Sequence, residues 1–145
     1  LQARFSDPFG MVQDKKGNLY VTDAADNNVI RRIAPDGQVS VYAGGKEGFA
    51  DGERMQAAFN TPSGIAIDKQ GNLYVADTFN QTVRKVTPAG VVSTIAGQAG
   101  IASTTLGALP GTLNRPGGIT LVNRADGPAL VISTGEANVL SIKLP

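Results

Sequence analysis

Residues 14–23 read DKKGNLYVTD and residues 68–77 read DKQGNLYVAD, the same phrase fifty-four positions apart. A chain that repeats itself at a fixed period folds as repeated units, because the same local sequence meets the same local demands. The match reaches back, with LQARFSDPFG against MQAAFNTPSG, and forward, with NNVIRRIAPDGQVSVYAGG against NQTVRKVTPAGVVSTIAGQ after a one-residue slip. A third, fainter copy sets TLNRPGGITLV against AFNTPSGIAID and GPALVISTGEANVLSIKL against GNLYVADTFNQTVRKV.

Each copy holds short apolar segments separated by turn signals. In the second they are SGIAID, NLYVAD, TVRKV and VVSTIAG, broken by KQG, TFNQ and TPAG. Strands rich in Val, Ile and Tyr, joined by short Gly-bearing loops, predict a four-stranded antiparallel meander. Gly17 and Gly71, like Gly37 and Gly90, fall where a hairpin turn needs positive φ. Pro35 and Pro88 suit the first turn position, where a fixed φ helps and a missing donor costs nothing. The second strands, NLYVTD and NLYVAD, are apolar on both faces, which suits a sheet packed between two others.

Composition removes several chemistries. The chain has no Cys and no His, so thiolate chemistry, His-ligated metals and triads built on His are excluded. Thirteen Lys and Arg against twelve Asp and Glu leave a net charge of +1, too small for a bulk field that gathers nucleic acid. No apolar run approaches the length of a membrane helix, and LQARFSDPFG does not read as a signal peptide. The Gly-rich tracts lack the spacing of a phosphate loop.

A four-stranded sheet repeated at this interval is the unit of a β-propeller blade. Residues 62–97, PSGIAIDKQGNLYVADTFNQTVRKVTPAGVVSTIAG, closely resemble the NHL repeat, built on P-x-G-I-A-V-D, G-N-L-Y-V-A-D and N-x-x-I-R-K. The expected fold is therefore all-β, one propeller segment over 1–145. Blade 1 spans about 8–44, blade 2 about 62–97, and a degenerate blade 3 about 116–145. The resemblance implies a non-catalytic scaffold for protein contacts. Its alternative is part of a six-bladed enzyme, a metal-dependent lactonase-like hydrolase or a lyase, whose catalytic residues lie outside this chain. The lyase's His-ligated metal maps to no position here, because the chain lacks His.

The repeated polar residues read as architecture. Asp23 and Asp77 end the second strands, and Arg84, with Arg31 or Arg32, lies across from them in the third, placed for cross-strand ion pairs. Asn18, Asn27, Asn72 and Asn80 are expected to bond their own backbone at turns. Tyr20 and Tyr74 are expected to wedge between blades. Arg31, Arg32, Arg84 and Lys85 alternate between opposite sheet faces and form no stripe for RNA. The third copy replaces the Asp with Ser133 and the Arg with Leu140.

Binding is expected instead in the long connections GGKEGFADGERMQAAFN and GQAGIASTTLGALPGTLN, with Lys46, Glu47, Phe49, Asp51, Glu53, Arg54 and Arg115 as candidates. Glu47, Asp51 and Glu53 have carboxylates enough for a calcium ion but not the D-x-D-x-D-G pattern, so a solvated loop is favoured and no cofactor is expected. Three blades do not close a ring, since propellers close with about four to eight. The expected partner is a protein, either a second copy completing about six blades or a missing N-terminal half. An exported location is the slightly favoured expectation, with no membrane or nucleic-acid partner.

Overall fold

A computed structural model describes residues 4–105 and 107–144. Strands β1 (Pro8–Gln13), β2 (Leu19–Asp23), β3 (Val29–Ile33) and β4 (Val39–Gly44) form one antiparallel meander in chain order, blade 1. After β5 (Gly52–Glu53), the meander recurs as β6 (Pro62–Ile67), β7 (Leu73–Asp77), β8 (Thr82–Val86) and β9 (Val91–Gly97), blade 2. Blade 3 is a three-stranded sheet of β10 (Ile119–Arg124), β11 (Gly127–Ser133) and β12 (Val139–Lys143), without an outer strand among the described residues. The hairpin glycines act as the turn chemistry requires, with φ of 84° at Gly17 and 88° at Gly71.

The first connection, residues 45–61, departs from expectation. Its β5 pairs antiparallel with β9 through Gly52↔Val92 and Glu53↔Val91, giving blade 2 a fifth strand at its outer edge. The segment runs from the end of β4 to the far end of β9, makes a single 3-10 turn at Arg54–Gln56 beside β4, and returns to start β6. Neither face of this two-residue pairing carries an apolar alternation, so no strand signal was present in the sequence.

Both faces of blade 2 are buried, each in its own core. Ile65, Leu73, Val75, Val86 and Val92 pack against Tyr20, Ile30 and Tyr42 of blade 1, with Phe59 of the first connection filling the same cluster. On the other face, Tyr74 and Val83 pack against Leu130, Ile132 and Ile142 of blade 3. Tyr20 and Tyr74 thus sit between blades as expected. Each such aliphatic side chain contributes about 1.5–3 kcal/mol on burial, which makes blade-on-blade contact the main source of stability.

The inner strands approach until only glycine fits. A Cβ on Gly10 would lie 2.7 Å from the Ser63 carbonyl oxygen, and one on Gly64 would collide with the Gly117 carbonyl oxygen and meet the Ile119 nitrogen at 2.9 Å. The Gly64 N–H donates to the Gly117 carbonyl at 3.1 Å. The glycine of P-x-G is therefore the contact point between successive blades. Gly118, in the third copy, meets nothing beyond its own blade, its Cβ position being 3.2 Å from Ser133 Oγ. Gly64→Ala should destabilise the chain by about 1–3 kcal/mol through overpacking. Gly118→Ala should cost clearly less, as measured by the denaturant midpoints of the two variants.

Candidate functional site

Blade 2 is built around a buried guanidinium. Arg84, on β8, has no exposed surface (0%). Its Nη1 donates to Asp77 Oδ2 at 2.8 Å and the Ala58 carbonyl at 3.0 Å, and its Nη2 to Asp51 Oδ1 at 2.7 Å and the Ala50 carbonyl at 2.6 Å. The charge lies 4.8 Å from the Phe49 ring centroid and 5.2 Å from that of Phe59, within cation–π range of both. Asp77, also fully buried, accepts further from the Asn60 N–H and the Asn80 amide, both at 2.8 Å. Burial pushes the Asp77 carboxyl up from its ordinary value, against the pull of Asn80, Asn60 and Arg84. One arginine thus ties β7, β8 and the first connection together.

Blade 1 carries the simpler form. Arg31 Nε donates to Asp23 Oδ2 at 2.6 Å, its Nη2 to the Arg4 carbonyl at 2.9 Å, and the guanidinium stacks 5.2 Å from Phe5. Register places Arg31 opposite Val21 as Arg84 is opposite Val75, so Arg31 is the partner of Asp23. Arg32 faces the other way and donates from Nε and Nη2 to Asn18 Oδ1.

Two expectations are corrected. The asparagines do not bond their own backbone. Asn18 and Asn72 donate to the Asp14 and Asp68 carboxylates, each at 2.7 Å, and Asn27 and Asn80 donate to Asp23 and Asp77, each at 2.8 Å. The aspartates are the turn residues, since an acceptor-only side chain can gather several N–H groups at once. Asp68, for example, accepts the N–H groups of Gln70 and Asn72 and the Tyr74 hydroxyl at 3.0 Å. In the third blade, Thr134 and not Ser133 holds the place of Asp77. Ile132 pairs with Leu140 as Val75 pairs with Arg84, and Ser133 Oγ accepts the Gly118 N–H as Thr22 Oγ1 accepts that of Gly10. The longer first hairpin shifts the copy by one residue, and the ion pair becomes Thr134 and Leu140.

The seven candidates of the connections do not converge. Lys46 is exposed, and Glu47, also exposed, accepts from Asn60 at 3.3 Å. Phe49 and Asp51 belong to the Arg84 cluster, where Asp51 also accepts the Thr94 N–H at 3.1 Å and hydroxyl at 3.0 Å. Glu53 lies in β5. Arg54 stacks 5.2 Å from the Tyr42 ring, and Arg115 lies 5.3 Å from that of Phe79. Among the described residues no three carboxylates gather as a metal site.

A cleft of about 800 Å³ opens instead at the end that carries the first hairpins, mainly between blades 1 and 2, with Leu121 and Asn123 of β10 in blade 3 completing its lining. Lys15, Lys16, Lys69, Arg32 and Arg54 line it, with Tyr20 and Tyr42, whose rings meet edge to face at 4.9 Å. Lys15 Nζ donates to the Lys69 carbonyl at 3.2 Å and so joins the two hairpins. Burial, with Tyr42 and Asp14 nearby, pushes the Tyr20 hydroxyl up to about 12, so it stays protonated and donates to Asp14. The cleft presents cations and hydroxyl donors, while its two carboxylates, Asp14 and Asp68, are engaged by their own hairpins. Of its cations only Arg54 was a candidate from the sequence, because the lining comes from hairpins, strands and the first connection that meet only in the fold.

Antiparallel blades packed face to face around close-set inner strands define a β-propeller segment. Residues 44–115 match the Teneurin NHL domain family. The NHL repeat-containing protein 2 of Bos taurus is 30% identical over 134 residues, covering 83% of this chain and 18% of that protein. A structural-genomics protein of Bacteroides thetaiotaomicron, 30% identical, superposes with a TM-score of 0.79 over 92% of this chain and 34% of its own. Virginiamycin B lyase of Staphylococcus aureus superposes at 0.53 with 16% identity, over 96% of this chain and 42% of its own, a likeness of fold alone. The chain belongs to the NHL repeat family, and it spans less than half the length of each of these proteins.

Removing the Arg84 side chain should be severe. Arg84→Leu leaves Asp77 buried without its cation and should cost about 3–5 kcal/mol. Adding Asp77→Thr, which copies the Thr134 and Leu140 pair of blade 3, should recover part of that loss in denaturant melts. A second test concerns pH. Burial would raise the Asp14 and Asp68 carboxyls, but the Asn18 and Asn72 side chains and the turn N–H groups outweigh it and hold both below 3.8. A carboxyl depressed in the folded state stabilises above its unfolded value and loses that contribution as pH falls through the folded one. Melting temperature should therefore drop below about pH 4, and Asp68→Asn should drop less over that interval while starting lower at pH 7.

Proposed function

We propose that this chain is a non-catalytic propeller scaffold that works by packing its end faces against further blades and presenting its connections to protein partners. The observation that carries this reading is a pair of matched positions. Ile65 is 7% exposed because it packs on blade 1, while its counterpart Met11 is 60% exposed. Val83 is 0% exposed because it packs on blade 3, while its counterpart Val139 is 71% exposed. Around Met11, exposed Phe9 and half-buried Leu19, Ile33 and Val39 continue an apolar face. Surfaces of this kind are built to be covered.

For the 145-residue chain by itself, a second copy supplies the missing blades. The Val139 face of one copy meets the Met11 face of the other, twice over, in a head-to-tail contact that closes after two copies. Six blades fall within the range in which propellers close. Catalysis has less support. A His-based centre of the lyase kind would need residues outside this chain, which has none. Light scattering of the chain should give a dimer or larger assembly, and Met11→Glu should shift it toward monomer. A well-folded monomer at every concentration would overturn the proposal.

A further inference from the structure

We infer that the cleft between blades 1 and 2 binds a small organic polyanion through carboxylate or phosphate groups. Five cationic side chains line the space, against the carboxylates of Asp14 and Asp68. Both carboxylates are committed to their own hairpins, each accepting two backbone N–H groups, an asparagine amide and a tyrosine hydroxyl. Among the described residues, none of the five cations forms an ion pair. Positive charge is therefore left unanswered in a walled space, where an anion is favoured more than on an open surface.

Two of the cations are already oriented. Arg32 is held by Asn18 through Nε and Nη2, and Arg54 is stacked on Tyr42. Fixed guanidinium groups lose less entropy on meeting an anion than free ones, and they match carboxylate and phosphate geometry. The volume, about 800 Å³, falls in the range of small-molecule clefts.

The repeat supplies an internal control. The corresponding gap between blades 2 and 3 holds only about 90 Å³. There Ile95 stands for Tyr42, Lys85 for Arg32, and Ala108 lies fifty-four positions after Arg54. Two copies of one architecture thus share Tyr20 and Tyr74, Asp14 and Asp68, but only one has the open, arginine-bearing cleft. The larger cleft takes in the first hairpins of both blades, whereas the smaller gap is lined by Tyr74, Lys85, Ile95 and the end of β12, so the cations and the space come together in one place alone among the described residues.

Titration of the isotope-labelled chain with benzene-1,3,5-tricarboxylate and, separately, with inorganic pyrophosphate tests the inference by NMR. Saturable shifts are expected at residues 14–18 and 68–72, with affinity that falls as salt rises. The two probes decide whether carboxylate or phosphate is preferred. Arg54→Ala and Lys16→Glu, two exposed side chains whose loss leaves the ion-pair latches intact, should each weaken binding about tenfold. Lys85→Gln, outside the cleft, should leave it unchanged. Failure of both probes to saturate, shifts centred elsewhere, or affinity indifferent to both cleft variants would overturn the inference. None of these outcomes depends on whether the chain is monomeric.

Discussion

The buried charge of Arg84 is the constraint around which the middle of the molecule is arranged. A lone guanidinium away from water would cost several kcal/mol, so its position dictates what must surround it. Two carboxylates, two carbonyls and two aromatic faces meet that demand. Five of the six come from the first connection, in Phe49, Ala50, Asp51, Ala58 and Phe59, and the sixth is Asp77 at the end of β7. The connection is therefore not a tether between blades but part of the packing of blade 2. Lysine could not substitute, because one ammonium cannot donate in a fixed plane to partners on both sides while stacking between rings.

This explains why the sequence was legible in some places and not in others. Strands, hairpin glycines and the cross-strand Asp and Arg were readable because each is a local demand repeated with the period. The Phe49 and Asp51 contacts were not, because they are made once, across 33 and 35 residues of chain, by a segment with no strand pattern. Its acidic residues looked like a solvated loop for the same reason: Asp51 is bound by a cation that lies far away in sequence. The slip at Ser133 had a different cause. An alignment of letters cannot see that three extra hairpin residues move the copy by one, whereas hydrogen bonding to Gly118 fixes it.

The third blade shows that the ion pair is one solution among others. Thr134 and Leu140 occupy the positions of Asp77 and Arg84, and blade 3 still packs Leu130 and Ile132 fully buried against blade 2. The second connection is held there by other means: Leu113 joins the core of Leu130 and Ile132, and the Gly135 N–H donates to the Asn114 and Arg115 carbonyls at 2.9 and 3.1 Å. An ion pair grips the connection in blade 2, and the uncharged Thr134 and Leu140 take its place in blade 3. That pattern agrees with the general finding that buried ion pairs add little net stability over well-packed apolar groups.

The end faces and the cleft depend on different parts of this architecture. Met11 and Val139 are exposed only because no blade lies against them, so their surfaces change with the state of assembly. The cleft lies mainly between blades 1 and 2, with Leu121 and Asn123 of blade 3 at its edge, and the separation of the first two blades is set by the contacts of Gly10 with Ser63 and Ile65 and by the shared core of Tyr20, Tyr42, Val75 and Phe59. Its walls are hairpins pinned by Asp14 and Asp68, and its two arginines are held by Asn18 and Tyr42. None of the exposed end-face residues Phe9, Met11 and Val139 lines the cleft. The proposed assembly therefore draws on the ends of the repeat and the proposed binding on the cleft, which are different sets of residues.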